Sequence, residues 1–502
     1  MTKFNIVYLP LDERPCNYHF AQRIAMGTEM HLRKPSPEVL GDKKIPADYD
    51  KVRKYLLDNA TTANAYIVSL DMLLYGGIVP SRLHQLDEDE LTARLDVLDE
   101  IKRINPAVKI YAFQLIMRCP CYSSSDEEPD YYEYCGREIF LTGQVKHKLE
   151  LGLVTQDEAQ ELLGQYAEKI GDNLIDFEQR RKVNRNMLVK AVKKLHHAID
   201  FLVIPQDDSA PYGYTSMDRE LIKKQLAENH LEEVAMYPGA DEVGMTLLAR
   251  AVCEYKRVSP RMHCVYCHEK SPYIIPLYED RPLKDTLTFQ IGTAGCRFAD
   301  GKEDADIMLY LNYPSQQPVD ESSLPSVGYG ERDLVTFCNK MVEDIKNGKI
   351  VALADGAYCN GGDLELLKLL TERTDFFNLS AYAGWNTSSN TLGTVICQAV
   401  FVWLFGKNKW QDKFLAERLY EDVGYCGFAR RYIVNNLLSQ HGYNYFNAGG
   451  RRGKVANIVR QVLSNHIESN FPDVYSRYRL ARCQMPWRRM FEVDLTVKEV
   501  EQ

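Results

Sequence analysis

Histidine is scarce in this chain, with 11 among 502 residues. It is nearly absent from the polar segments that follow the apolar runs, which disfavours a Ser-His-Asp hydrolase or a histidine-ligated zinc enzyme. No G-x-S-x-G elbow, P-loop or G-x-G-x-x-G occurs, so the common nucleophile and phosphate-binding motifs are missing. An excess of basic charge is also missing. The formal net charge of -9 argues against broad nucleic-acid binding, which needs a basic surface. The start, "MTKFNIVYLPLDERP", runs directly into a first strand without the basic start, apolar run and cleavage site of a secretory signal. No apolar stretch approaching about 18 residues is read, so no membrane span is expected. Together these absences lead us to expect a cytoplasmic protein.

Cysteine is not scarce, but its 13 copies are an odd number, scattered through the chain. Most are expected to be reduced thiols packed as small hydrophobes. "CVYCH", Cys264 to His268, matches the spacing of covalent haem attachment, and a C-x-x-C pair supplies half a zinc site. It lies where a buried strand is read. Neither haem nor zinc shared with Cys119 and Cys121 is the favoured reading, and no cofactor is assigned.

What the sequence has in abundance is short apolar runs ending in polar or glycine-containing residues. Nine recur, including "FNIVYLPLDERP", "AYIVSLDMLLYGG", "KIYAFQLIMR", "DFLVIPQDDS", "VAMYPGADEVG", "DIMLYLNYP" and "KIVALADGAYCNGG". Segments of helical periodicity separate them, such as "DEDELTARLDVLDEIKRI" and "NRNMLVKAVKKLHHAI", which holds His196 and His197. Continuous apolar strands alternating with helices indicate an α/β protein with parallel strands covered on both faces. A TIM-barrel-like (β/α)8 domain over residues 1–405 is the favoured architecture, with two doubly wound α/β domains as the alternative. The connection over residues 119–199 is too long for a plain crossover. Its opening, "CYSSSDEEPDYYEYCG", is polar and tyrosine-rich, and a helical insertion beside one end of the barrel is expected. Residues 406–502 read as a helical C-terminal region. In it, "NAGGRRGKVANIVRQ" could hold an anion, although a solvated helix start is the simpler reading.

If the strands are parallel, residues just past each one converge on a single edge. That edge would gather Asp12, Glu13 and Arg14; Asp71 and Arg82; Arg118; Asp207 and Asp208; Asp241 and Glu242; Asn312; Asp355 and Asn360; Trp385, Asn386 and Asn390. Each alone suits a cap or turn, yet together they describe a binding site. Gly76, Gly77, Gly239, Gly244, Gly361 and Gly362 beside them would allow close backbone approach. Carboxylates, amides and an aromatic platform such as Trp385 suit carbohydrate, with hydroxyls bound by amides and a ring stacked on indole. Asp207 and Asp208 stand out. Adjacent carboxylates repel, and where water is scarce one is driven to keep its proton, which supplies the acid and the anion that glycoside cleavage needs. Neighbouring strand residues point to opposite faces, so both can face the site only if the chain bends at Asp207, as Pro211 and Gly213 permit.

The segments "PLDERPCN", "SLDMLLYGGIVPSR", "PQDDSAPYG", "GADEVG" and "AYAGWNTSSNTLG" resemble those of a bacterial family filed as domain of unknown function 4127, over nearly the whole chain. A mechanistic similarity is to hexosaminidases of the O-GlcNAcase and hyaluronidase type, in which adjacent acids end the fourth barrel strand. That resemblance implies that Asp207 orients and polarises a substrate acetamido group while Asp208 is the general acid and base. The leading expectation is therefore a glycosidase acting on a small-molecule or oligosaccharide substrate, with no nucleic-acid or membrane partner and homo-oligomerisation left open. The alternatives are a hydrolase or isomerase holding a divalent cation on Asp12, Asp207, Asp208, Asp241 and Glu242, and a carbohydrate-binding protein without turnover.

Overall fold

A computed structural model describes residues 3–231, 234–320 and 327–500. Six strands, β1 (Phe4–Leu9), β2 (Met30–Arg33), β3 (Ala65–Ser69), β4 (Lys109–Phe113), β5 (Phe201–Gln206) and β6 (Ala235–Pro238), form a parallel sheet in the order β2-β1-β3-β4-β5-β6. Then come β7 (Arg261–Tyr266), β8 (Arg297–Phe298), β9 (Ile307–Asn312), β10 (Val319–Asp320), β11 (Ile350–Asp355), β12 (Tyr358–Cys359) and β13 (Ala381–Ala383). Of these, β13-β11-β9-β7-β8 make a second parallel sheet, and β10 pairs with β12 alone. The α/β class with parallel strands is therefore observed. The ladders do not close into the eight-stranded ring favoured from the sequence: among the described residues none joins the six-stranded sheet to the five-stranded one. Apolar runs look alike in either arrangement, so counting them could not separate the two.

The runs are continuous because strands such as β3 and β9 are buried on both faces, while β7 is only partly buried and β8 is exposed. In β1, Ile6 and Tyr8 enter one core while Val7 and Leu9 enter another. In β9, Leu309 and Leu311 join that same first core, and Met308 and Tyr310 face the opposite way. The two sheets thus share a central core. Inside it the helix Val243–Lys256 packs on β3 and β4, the helix Ser388–Phe405 packs on β11 and β13, and the two helices pack on each other. Two glycines permit this closeness. A Cβ on Gly244 would lie 2.3 Å from the Tyr8 hydroxyl, and one on Gly393 would lie 2.4 Å from Glu242 Cγ. The helix Ser388–Phe405 also corrects the expectation that no segment approaches membrane-spanning length. By length and composition it could cross a bilayer, but 83% of it is buried in the protein, where an all-round apolar helix is what a core requires. Ser388, Ser389, Asn390, Thr391, Thr394 and Gln398 break its run in the sequence.

Between β4 and β5 lie three long helices, Tyr132–Glu150, Gln156–Ile170 and Asn173–Lys193. The second starts at a T-x-x-E capping box, Thr155 with Glu158. They enclose a small core of Met117, Cys119, Tyr132, Cys135, Ile139, Ile170, Phe177 and Tyr214. His196 and His197 are not helical: the helix stops at Lys193, and His196 has a left-handed φ of 69°. The C-terminal region is not purely helical either. It adds an antiparallel hairpin, β14 (Tyr478–Gln484) with β15 (Asp494–Glu499), and covers the outer face of the second sheet. The helix Lys454–Asn470 starts at the basic "GGRRGK" stretch. Ten of the 13 cysteines are buried; Cys264 lies in β7, and Cys267 packs on the outer core of the second sheet.

Candidate functional site

A cavity of about 730 Å³ opens where the C-terminal ends of both sheets meet. The order of the first sheet reverses at β1, which lies between β2 and β3, and such switch points leave a crevice beyond the strand ends. The first sheet supplies Arg14, Arg82, Arg118, Asp207, Asp208 and Asp241 to the wall, and the second half supplies Tyr278, Asn360 and Asn386. The insertion loop Tyr122 to Glu128 and the C-terminal residues Tyr445, Phe446, Arg489 and Phe491 complete it.

Past β1, Arg14 donates its backbone N–H to Asp12 Oδ1 at 2.8 Å, a tight local turn that leads into Pro15 at the start of a short helix. Its guanidinium reaches Asp12 Oδ2 at 2.6 Å and Asp241 Oδ1 at 2.6 Å, and it lies 4.5 Å from the Trp487 ring. Asn17 Nδ2 spans the same two acids at 3.0 and 2.8 Å. Asp241 is tied to the second half by Asn390, whose Oδ1 accepts its N–H at 3.1 Å, and by Asn386 Nδ2 at 3.5 Å. Burial pushes Asp241 up to about 6 against the pull of Arg14, with Asp12 and Asp207 adding to the rise.

Asp207 and Asp208 follow β5 directly. The bend expected at Asp207 is made by Asp208, whose φ of 46° turns the chain so that both side chains line the cavity. Arg82 Nη2 donates to Asp207 Oδ2 at 2.8 Å, and Arg118 Nη1 meets Asp208 Oδ2 at 3.0 Å and Asp207 Oδ2 at 3.5 Å. Arg82 ends a short 3-10 turn after β3, and Arg118 follows β4. Burial, then the Asp207 charge, push Asp208 up to about 7 despite Arg118 and Arg82. Tyr278, Asn360 and Asn386 also have left-handed backbones, with φ of 67°, 65° and 52°. Four such non-glycine residues around one cavity are a concentration of backbone strain of the kind found at functional sites.

Other expected residues do not reach the cavity. Asp12 stands behind Arg14. Asp71 accepts the Leu115 N–H at 3.0 Å, and burial pushes it up to about 7. Glu242 accepts from Ala240 N at 3.0 Å and Gln290 Nε2 at 2.9 Å. Asn312 and Asp355 bond each other at 2.8 Å in a separate network with Asp363 and Arg332. Trp385 is no open platform: its Nε1 donates to Thr394 Oγ1 at 3.1 Å, its ring packs edge-on to Phe20, and it borders only a small void of about 20 Å³ behind Arg14 and Asn386. The aromatics at the cavity are Tyr122, Tyr278, Tyr445, Phe446 and Phe491. Among the described residues, no three His, Cys, Asp or Glu side chains gather as an ion-holding group, "CVYCH" included.

The sequence reading missed Glu127, Glu128 and Arg489. Glu127 Oε2 accepts from Arg82 at 2.9 Å and Arg118 at 3.1 Å, while Glu128 Oε1 accepts from Arg118 Nε at 2.8 Å. Arg489 reaches Asp126 at 2.7 Å and also Glu127. The acidic run "SSSDEEPD" and the paired arginines of "PWRRMFEVDL" were the visible traces, but nothing local says that both fold over one cavity.

The family described as Protein of unknown function (DUF4127) matches residues 6–496, and the chain belongs to it. No curated protein and no solved structure matches the chain, so the likeness to hexosaminidases finds no support there.

Proposed function

We propose that the chain is a glycoside hydrolase whose acid and anion are Asp208 and Asp207, set in a crevice between two doubly wound halves. The observation that carries this reading is the unequal pair: adjacent carboxylates lining one cavity, Asp207 between Arg82 and Arg118 and Asp208 on Arg118, with Asp208 pushed up to about 7. A carboxyl protonated near neutral pH beside an ionised one is the arrangement that glycosidic cleavage uses. Asp208 gives its proton to the glycosidic oxygen as the bond from that oxygen to the anomeric carbon breaks. Asp207 opposes the positive charge that grows on the ring, directly or through a substrate acetamido group. Water then adds to the anomeric carbon and returns a proton to Asp208, leaving a hemiacetal and an alcohol. Asn360 and Asn386 suit hydroxyl groups, and the aromatic rim suits sugar faces.

The test compares leaving groups. Asp208→Asn should abolish turnover of glycosides with poor leaving groups while sparing an activated aryl glycoside that departs without a proton. Asp207→Asn should impair both. Identical responses of the two variants would overturn this assignment. Loss of wild-type activity to a chelator, restored by added cation, would favour the metal-dependent alternative. Binding of oligosaccharides without turnover of any of them would favour a non-catalytic role.

A further inference from the structure

We propose that Glu127 and Glu128, on the insertion loop, are positioning residues for the Asp207–Asp208 pair: by occupying Arg82 and Arg118 from the far side, they keep both guanidiniums from closing on Asp208. This rests on the acid role of Asp208 proposed above.

The geometry is a bridge. Arg82 spends Nη2 on Asp207 and turns Nη1 to Glu127 at 2.9 Å and Glu128 at 3.3 Å. Arg118 spends Nη1 on Asp208, Nη2 on Glu127 at 3.1 Å and Nε on Glu128 at 2.8 Å. Four carboxylates therefore share two guanidiniums, and each arginine is stretched between the loop and the pair. Burial alone would raise Glu127, but Arg489, Arg118, Arg82 and Arg14 outweigh it and hold Glu127 well below the usual carboxylate range, so it stays an anion. The charged and titratable groups that face Asp208 are Asp207 beside it, Arg118 and Arg82 from the strand ends, and Glu127, Cys121 and Tyr122 from the loop. Neutralising Glu127 removes a negative neighbour and frees a donor on both arginines. Both changes favour ionised Asp208. The loop is held in turn by Arg489, which stacks on Trp487 and pairs with Glu492 at 2.6 Å. The acid is thus complete only with the insertion and the C-terminal segment in place.

The experiment is a pH titration of the full-length protein by infrared difference spectroscopy, following the protonated-carboxyl band that Asp208→Asn removes. In Glu127→Gln the midpoint of that band should fall by at least about one pH unit, a tenfold loss of proton affinity. Glu128→Gln should shift it the same way, and Glu127→Asp, which keeps the charge, should restore most of the wild-type midpoint. An unchanged midpoint in Glu127→Gln overturns the proposal, as does a Glu127→Asp shift equal to that of Glu127→Gln. If Glu127→Gln fails to fold, Glu128→Gln decides, an unchanged midpoint there overturning the proposal. Because the band is read without substrate, a shifted midpoint in a protein that cleaves no glycoside would discard the function proposed above and leave this one standing.

Discussion

Both sheets end in a buried knot of carboxylates, amides and arginine, yet the two knots are bonded differently. At the second sheet, Asp355 takes Asn312 on one oxygen and the Asp363 N–H and Tyr382 hydroxyl on the other. Asp363 caps the helix Leu364–Thr371 with one oxygen and holds Arg332 at 2.7 Å with the other. Every carboxylate oxygen there has a protein donor. At the first sheet, the bonds from Arg82 and Arg118 to Asp207 and Asp208 all end on Oδ2, and both side chains line open space. The same residue types at the same kind of strand end are structural where they satisfy one another and available for chemistry where they do not.

Four measurements would break or sharpen that contrast. The largest effect is expected in Asp208→Asn, which should lose roughly 10²- to 10⁴-fold in turnover of glycosides with poor leaving groups while remaining folded. Next, Asp363→Ala strands the buried Arg332 and should lose about 3–5 kcal/mol of stability in urea, with little change in kcat for molecules that remain folded. A large kcat loss there would erase the distinction between the knots. Third, Asp208 is raised to about 7 in the folded chain, so the native state binds more protons than the unfolded chain between roughly pH 4 and 7, and stability contributed by the protonated form is lost as pH rises through that window. Asp208→Asn removes the ionisation, so the variant should exceed wild type in stability at pH 8 by on the order of 4 kcal/mol and match it below about pH 4. No pH-dependent difference in denaturation midpoints would refute a raised Asp208. The smallest effect is expected in Phe446→Ala, at the cavity rim and more than half exposed. It should raise KM a few-fold and change stability by less than about 0.5 kcal/mol.

The first-sheet knot was more legible in the sequence than the second was interpretable. "PLDERPCN", "PQDDSAPYG" and "GADEVG" each follow an apolar run, and parallel strands bring such residues to one edge whatever the sheet order. Arg14, Arg82, Arg118, Asp207, Asp208, Asp241, Asn360 and Asn386 were all named on that ground and line the cavity. The same reasoning swept in Asp71, Glu242, Asn312 and Asp355, because a strand-end carboxylate or amide looks alike in the sequence whether it faces a cavity or another buried polar group. Trp385 misled for a related reason: an indole reads as a stacking surface until Thr394 is seen to take its N–H.

By itself, the sequence determined the parallel α/β class, the strand-end placement of the acids and the adjacency of Asp207 and Asp208, since apolar periodicity and chain neighbours are local properties. Tertiary structure alone decided that the strands pair as six and five, because strand partners are chosen by packing between distant segments. It alone buried the helix Ser388–Phe405 between the sheets, where an apolar helix has protein on every side. It alone carried Glu127 from the insertion onto Arg82 and Arg118, and Arg489 from the far C-terminal region onto Glu127. Ion pairs of that kind, such as Arg489 with Glu127 across 362 residues of chain, form only where the fold closes a cavity and excludes the water that would otherwise screen them.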